Sequence, residues 1–160
     1  MIFVTIGSMF PFDRMIRAMD AWAADAGQGE EILAQIGEGA FEPRYMSWVR
    51  RLDRPDYAAA VARSRLVVAH AGIGSIVSAA EIGRPIVVLP RRAAFGEHTS
   101  DHQVETVSRL HGRPGVHVAE TEGDLAGCIA AVAMAAAHGT GMGKTADPAF
   151  IARLRRFIEG

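Results

Sequence analysis

The sequence predicts an α/β fold with a Rossmann-like, open and parallel sheet flanked by helices. Four short apolar segments rich in β-branched residues do not alternate with polar residues, which is typical of strands covered on both faces. The segments between them carry apolar residues at intervals of three and four, which indicates amphipathic helices. Strands that alternate with helices predict βαβ units with right-handed crossovers, and therefore a doubly wound sheet.

The first third of the chain predicts two strands, a helix and a loop. An apolar run at residues 2–6 precedes a helix that starts near Phe12, where apolar residues recur at helical spacing as far as Trp22. Residues 32–36 form the next apolar run and predict the second strand. Residues 37–52 mix polar and aromatic side chains, so we expect a loop there, with a short strand near its end at positions 45–49.

The rest of the chain continues the alternation of helices and strands. Between positions 56 and 119 the sequence predicts a helix at 56–64, a strand at 66–69, a helix at 73–82, a strand at 86–89, a helix at 101–110 and a weaker strand at 116–119. An alanine-rich helix is expected at residues 124–138. After a glycine-rich connection, residues 148–158 place apolar side chains on one helical face.

Composition limits the function classes. The 160 residues are enough for one domain and too few for two of ordinary size. Seventeen basic residues against eighteen acidic ones give a net charge of −1, so no basic field indicates nucleic-acid binding. The single cysteine, Cys128, excludes an internal disulfide framework and agrees with a reducing cytoplasm. No apolar run approaches the ~20 residues of a membrane span.

The clearest functional pattern is the strand, turn, helix, turn and strand at residues 66–90. Its first turn contains His70, Gly72, Gly74 and Ser75. Glycines at such a turn let a ligand approach the backbone, and the free N–H groups of the next helix favour a phosphate oxygen. Ser75 is expected to cap the helix or bind phosphate, and His70 to point toward the crevice. A tight turn with a purely structural role is the alternative.

A second concentration of polar residues follows the strand at 86–89 and leads into the next helix. It consists of Arg91, Arg92, Glu97, His98, Asp101, His102 and Gln103. Such a group is suited to an anionic ligand that also offers hydroxyls, for instance a sugar diphosphate. A solvated polar loop is the alternative interpretation.

The first strand ends at the same predicted edge of the sheet. Gly7 and Ser8 follow it directly and are expected to border the same crevice. An ordinary strand exit would have the same sequence.

Two other patterns are weaker. His98 and His102 are four residues apart, but no third His or Cys stands nearby, so no metal site is expected. Residues 138–145 are similar to a phosphate-binding P-loop. However, His138 stands where that motif has glycine, and a helix rather than a strand precedes it, so no working P-loop is expected.

Three segments together resemble the glycosyltransferase family 28 C-terminal domain. They are the opening IFVTIGS with PFDRMIRAMD, the segment HAGIGSIVSAAEIGRPIVVLPRR, and GEHTSDHQ. The resemblance covers residues 1–119, and residues 120–160 add C-terminal helices to the same single domain. It implies the fold of the C-terminal half of a GT-B glycosyltransferase, the half that binds the UDP-sugar.

More narrowly, the chain resembles small free-standing members of the family. These include the cytosolic subunit of the eukaryotic UDP-GlcNAc transferase that extends dolichol-linked GlcNAc. They also include small subunits of bacterial exopolysaccharide transferases, some of them glucuronosyltransferases.

The resemblance assigns roles to the polar residues. Those expected near the donor phosphates and nucleoside are Gly7, Ser8, His70, Gly72, Gly74 and Ser75. Those expected to bind hydroxyls of the donor sugar are His102 and Gln103. Those expected in the loop over the donor are Arg91, Arg92, Glu97 and His98.

One position departs from the family pattern. Many members have Glu five residues before the Gly of Gly-x-Pro, where it binds ribose hydroxyls, but this chain has Ser78. The nearest carboxylate is Glu81, close to one helical turn further on. Either Glu81 takes over the ribose, or the chain recognises ribose differently.

These expectations define one leading function. The chain is expected to be the donor-binding subunit of a two-component glycosyltransferase, transferring sugar from a UDP-sugar to a polyprenyl-diphosphate-linked acceptor in exopolysaccharide synthesis. A single domain supplies one side of a crevice. The resemblance implies a membrane-anchored partner subunit that binds the acceptor and holds the chain at the cytoplasmic face. No metal or other cofactor is expected, and no catalytic residue is assigned.

Two alternatives remain open. One is a regulatory module that binds nucleotide sugars without catalysis. The other is a self-sufficient homodimeric glycosyltransferase. The helix at residues 148–158, with its arginines, is a candidate docking surface for the partner, or else it packs on its own sheet.

Overall fold

The computed structural model describes residues 1–138 and 147–159 and contains a parallel sheet with helices on both faces. The strands are β1 (Ile2–Thr5), β2 (Ile32–Gln35), β3 (Ser47–Val49), β4 (Leu66–His70), β5 (Ile86–Leu89) and β6 (Val116–Val118). The helices are α1 (Asp13–Asp25), α2 (Arg54–Arg63), α3 (Ile73–Ile82), α4 (His102–Ser108), α5 (Leu125–Ala137) and α6 (Pro148–Glu159). Single turns of 3-10 helix lie at Ala93–Phe95 and Glu122–Asp124.

The strand order is β3-β2-β1-β4-β5-β6, and every neighbouring pair is parallel. The chain builds outward from β1 to β3, then returns beside β1 with β4 and continues in the opposite direction. The order therefore reverses between β1 and β4. In open α/β sheets a ligand crevice forms at the carboxyl ends of the strands at such a reversal.

Each face of the sheet carries its own apolar core, because successive strand side chains point to opposite faces. On one face Ile2, Val4 and Ile6 pack with residues of α1 and α5. On the other face Phe3 and Val67 pack with residues of α2, α3, α4 and α6. The predicted burial of the strands on both faces is confirmed.

The predicted elements are all present among the described residues, with small shifts at their ends. Helix α2 starts two residues earlier than expected, because Asp53 caps it: its Oδ1 accepts a hydrogen bond of 2.8 Å from the Asp56 N–H. Helix α5 follows a capping box formed by Thr121 and Asp124. The P-loop-like stretch at 138–145 falls almost wholly on residues 139–146, which lie outside the described residues.

The last helix, α6, packs against α3. Leu154 is buried in the core of that face, and Phe150 packs against it. Arg155 forms an ion pair with Glu81 near the end of α3. The apolar residues Phe150 and Leu154 are thus turned toward their own domain, as in the second of the two interpretations of this helix. Within the described residues, no helix has the length and apolar character needed to cross a membrane.

Candidate functional site

A cleft of about 650 Å³ lies where the strand order reverses. The loops after β1 and β4 form its centre, and the loop after β5 closes one end. The predicted site residues that line it are Gly7, Ser8, His70, Gly72, Gly74, Ser75, Ser78, Glu81, Arg91, His98 and Gln103. The topology therefore brings together the glycine loops and most of the polar residues that the sequence singled out.

His70 lies between the two glycine loops. A Cβ atom on Gly7 would come within 2.6 Å of the His70 ring, and one on Gly72 within 2.1 Å. Gly7 also has a φ of +74°, a conformation that side chains disfavour. Both glycines are required because the imidazole fills the space that a methyl group would need.

The pKa of His70 is lowered to about 3, first by burial and then by the positive charge of Arg91. The imidazole is therefore neutral at neutral pH. A base with such a low pKa accepts a proton poorly, so His70 is unsuited to be a general base for an acceptor hydroxyl.

Arg91 lies beneath the first glycine loop and is only 2% exposed. Its Nη2 donates to the carbonyl oxygens of Ile6, at 2.7 Å, and Phe10. The Nε atom has no hydrogen-bond partner within the described residues. Burial lowers the pKa of Arg91 to about 10, so the guanidinium stays charged at neutral pH. It places a fixed positive charge at the cleft wall.

Two glutamines hold the cleft loops in place. The Oε1 of Gln103 accepts a hydrogen bond of 3.0 Å from the Arg91 N–H, and no described residue bonds its amide nitrogen. Gln35 donates from Nε2 to the Gly7 carbonyl at 3.1 Å and accepts from the Leu52 N–H at 3.2 Å. Gln103 therefore retains a donor at the cleft, whereas both ends of Gln35 are engaged.

The N-terminus of α3 opens onto the cleft. Its N-cap residue is Gly72, and no side chain caps the helix or places a negative charge in its first turn. Ser75 is thus not the cap; its hydroxyl accepts a hydrogen bond of 3.2 Å from the Tyr57 hydroxyl. Uncapped N–H groups and the helix dipole favour an anion at this point.

Ser78 and Glu81 lie further along α3. The Ser78 hydroxyl donates back to the Gly74 carbonyl at 2.9 Å, within the helix. Glu81 lines the cleft but is paired with Arg155 of α6. If Glu81 binds the ribose hydroxyls, its carboxylate must do so while it is paired with Arg155, or must leave that pair.

Four predicted residues, Arg92, Glu97, Asp101 and His102, are not part of the cleft lining. Glu97 forms a two-pronged ion pair with Arg14 and accepts from the Arg92 N–H at 2.9 Å. Asp101 accepts from the Ala93 N–H at 2.9 Å. His102 is exposed at the start of α4, with Glu105 3.9 Å away.

The Arg92 side chain donates to the Glu120 carbonyl, outside the cleft lining. Thus Glu97 and Asp101 shape the loop after β5. Contact of these residues with a donor stays a prediction.

The wall of the cleft opposite α3 was not predicted from the sequence. It is formed by the segment after β3 and by α2, through Leu52, Asp53, Arg54, Tyr57, Ala58 and Val61. Gln35, Met9 and Phe10 also line the cleft. The only available signal was position in the chain, because Gln35 ends β2 and Leu52 lies three residues after the end of β3, at the same edge of the sheet.

His98 completes the end of the cleft. Its ring meets the Phe10 ring edge-on, with 5.2 Å between the ring centroids. Among the described residues no three His, Cys, Asp or Glu side chains gather as metal ligands. The expectation that donor binding needs no metal stays a prediction.

The family of the chain follows from a comparison with family models. The model of the glycosyltransferase family 28 C-terminal domain matches residues 1–136. This chain belongs to that family. The resemblance seen in the three sequence segments is therefore confirmed, and the matched residues include every residue that lines the cleft.

Solved glycosyltransferase structures share the fold of this family 28 domain. The calicheamicin glycosyltransferase CalG4 has a TM-score of 0.59 and 17% identity, with 99% of this chain and 39% of that chain covered. The glycotransferase of kitacinnamycin has a TM-score of 0.56 and 19% identity over 96% of this chain and 37% of that one. SnogD from Streptomyces nogalater has a TM-score of 0.53 and 19% identity, with coverages of 98% and 43%.

The family 28 domain thus spans less than half the length of these structures. The fold expected from the sequence, equivalent to the C-terminal half of a GT-B glycosyltransferase, is confirmed. No curated protein sequence is significantly similar to the chain.

Proposed function

We propose that this family 28 domain is the donor-binding part of a glycosyltransferase that moves a sugar from a UDP-sugar to a lipid-linked acceptor. The observation that carries the proposal is the cleft between β1 and β4. Two glycine loops from neighbouring strands, an uncapped helix N-terminus and a fixed arginine charge meet there. This combination is suited to a diphosphate that is attached to less polar groups on both sides.

The diphosphate lies against the start of α3 in this proposal. Gly72 and Gly74 let the phosphate oxygens approach the backbone, and the first N–H groups of the helix receive them. Arg91 supplies positive charge from below without leaving its bonds to the loop carbonyls. These fixed dipoles and charges stabilise the negative charge that develops on the leaving diphosphate.

The sugar lies toward the loop after β5. Gln103 has its oxygen fixed on the Arg91 N–H, and its amide nitrogen donates to a sugar hydroxyl. His98, at the same end, forms the wall together with Phe10. A site that donates a hydrogen bond to one hydroxyl discriminates against sugars that lack it, because the buried donor is then left unpaired.

The reaction joins the acceptor hydroxyl oxygen to the anomeric carbon of the sugar. The bond from that carbon to the phosphate oxygen breaks, its electrons leave with the diphosphate, and the hydroxyl proton passes to a base. The low pKa of His70 makes it a poor base. In this proposal the acceptor side supplies the base. A membrane-anchored partner subunit contributes that side and holds the chain at the cytoplasmic face during exopolysaccharide synthesis.

The test of donor binding is calorimetric titration of the purified chain with UDP, GDP and a series of UDP-sugars. We expect UDP to bind more tightly than GDP, and one UDP-sugar to bind more tightly than UDP. Gln103→Ala should lower the affinity for that UDP-sugar about 10-fold, which corresponds to the loss of one hydrogen bond. Gln28→Ala is the control, because Gln28 is exposed, lies outside the cleft lining and donates to the Ala24 carbonyl of α1. Tighter binding of GDP would contradict the UDP assignment.

The test of the two-component arrangement uses the donor identified by calorimetry, labelled in its sugar. We expect label in the lipid extract only when the chain is combined with membranes from cells that express the membrane-anchored partner subunit. Transfer by the purified chain alone would instead support a self-sufficient homodimer. Donor binding without transfer in any combination would support a regulatory module.

A further inference from the structure

A second cavity, of about 390 Å³, lies on the far side of the first turn of α3. It is enclosed by α3, α4 and α6, and we call it the α3–α4–α6 cavity. Its apolar lining consists of Ile73, Leu110, Phe150 and Leu154. Ile73 stands between Gly72 and Gly74, which line the first cleft, yet the two cavities share no lining residue.

The mouth of this cavity is basic. Arg109, Arg113 and Arg153 line it and are exposed, whereas the two leucines of the lining are buried. The Arg113 guanidinium lies 5.7 Å from the centroid of the Phe150 ring, which places a cation above the apolar floor. None of the described residues in the lining is a carboxylate. The net charge of the whole chain is −1, so this concentration of positive charge is local.

The floor of the cavity offers little to a polar ligand. Thr106 is the only uncharged polar side chain among the described lining residues, and its hydroxyl already donates to the His102 carbonyl at 2.9 Å. A peptide or sugar placed there would lose hydrogen bonds to water without replacing them. A hydrocarbon chain makes no hydrogen bonds to water that it could lose, and burial of its apolar surface is favourable. The ligand that matches both parts is therefore an anion carried on an apolar chain.

We propose that the α3–α4–α6 cavity binds an anionic phospholipid at a membrane surface. The headgroup phosphate pairs with Arg113 and Arg153, since guanidinium groups match phosphate oxygens in two-pronged geometry. The first methylene groups of the lipid enter the apolar floor. This is a direct contact between the chain and the lipid, and it does not depend on glycosyl transfer or on a partner subunit.

Sedimentation of the full chain with lipid vesicles tests the proposal. We expect binding to phosphatidylcholine vesicles that contain phosphatidylglycerol, and none to vesicles of phosphatidylcholine alone. The double variant Arg113→Gln/Arg153→Gln should lower the partition coefficient about 25-fold, at roughly fivefold for each arginine. Arg51→Gln/Arg63→Gln is the matched control, because it removes the same charge from exposed residues outside the cavity.

Several results would overturn the proposal. They are equal binding to both vesicle types, unchanged binding of the cavity variant, and an equal loss in the control variant. Release of the chain from vesicles by inorganic phosphate at a matched phosphate concentration would also overturn it, because the site would then recognise a free anion. The cavity variant should bind UDP as tightly as the wild type does. Failure of the lipid proposal is therefore distinguishable from failure of the proposed donor binding.

Discussion

The Nε2 atom of His70 lies 2.1 Å from the point that a Cβ atom on Gly72 would occupy. Gly74, two residues further on, has no heavy atom within 4 Å of the corresponding point. The two glycines of the turn therefore serve different purposes. Gly72 makes room for a buried side chain of the domain itself, whereas Gly74 leaves space that is open to a ligand.

The variants Gly72→Ala and Gly74→Ala separate these purposes. We expect Gly72→Ala to destabilise the fold by about 1–3 kcal/mol, as for overpacking of a core. Gly74→Ala should keep or raise stability, because alanine is favoured over glycine by ~1 kcal/mol within a helix. It should nevertheless weaken nucleotide binding, since the methyl group enters the ligand space. Denaturant unfolding and calorimetry measure the two effects, and full UDP affinity in Gly74→Ala would contradict close approach of the phosphates.

Stability should fall as the pH drops below about 6.5, the ordinary pKa of His. The folded state lowers the pKa of His70 to about 3, mainly by burial. Between these values the unfolded chain binds a proton that the folded chain does not, so acid favours unfolding by up to ~1.4 kcal/mol per pH unit.

His70→Gln should flatten the dependence of unfolding free energy on pH between 6.5 and 5, relative to wild type. His117, whose pKa is also lowered by burial, contributes in both proteins and cancels from the difference. His111→Gln is the control, because His111 is an exposed residue paired with Glu120. If the unfolding free energy of wild type and of His70→Gln changed with pH in parallel, the lowered pKa of His70 would be refuted.

Glu81 lines the cleft and forms an ion pair with Arg155 of the C-terminal helix α6. Arg155 would therefore compete with a ligand for the Glu81 carboxylate. If Glu81 receives the ribose hydroxyls, Arg155→Gln should strengthen UDP binding up to about fivefold, the value of an exposed ion pair. Glu81→Gln should weaken it. Arg156→Gln is the control, since Arg156 is exposed and, within the part of the chain that the structure describes, bonds the Ala152 carbonyl of its own helix. Unchanged UDP affinity in both Glu81→Gln and Arg155→Gln would exclude Glu81 from ribose recognition.

The loop after β5 depends on Arg14. This residue makes two bonds to Glu97, one to Glu122 and one to the Pro90 carbonyl. The Arg14 and Glu97 side chains are only 15% and 10% exposed, so an unpaired charge there is costly. We expect Arg14→Met to lower the free energy of unfolding by about 3 kcal/mol. Arg51→Met, in the exposed pair with Glu38, should change it by less than ~1 kcal/mol. Similar losses in both would show that burial does not strengthen the Arg14 pair.

The sheet was predictable because each strand is encoded locally. Val, Ile and Leu runs without polar alternation indicated burial on both faces, and the glycines of the two central loops indicated where the crevice opens. Helix α4 was expected to extend over 101–110, but it spans only His102–Ser108. Asp101 is its N-cap residue, and the Asp101 side chain accepts a hydrogen bond from the Ala93 N–H. Local pattern alone does not contain such a side-chain bond.

The roles of charged residues were harder to predict because their partners are remote. Glu97 meets Arg14 across 83 positions of sequence, and Arg91 meets the Ile6 carbonyl across 85. From the sequence, both Glu97 and Arg91 were expected in the loop over a donor. In the structure Glu97 fixes that loop and Arg91 holds the first glycine loop, and no periodicity in the sequence records such pairings. Contact of either residue with a donor stays a prediction.

The Nη2 bonds of Arg91 to the carbonyls of Ile6 and Phe10 have a thermodynamic consequence. The first glycine loop loses its conformational entropy when the chain folds, at roughly 1–2 kcal/mol for each residue fixed. A nucleotide that binds later therefore does not have to order this loop, and its binding free energy carries no entropic cost for doing so. Preorganisation of this kind leaves affinity and association rate to be set by the ligand and by whatever closes the other side of the cleft.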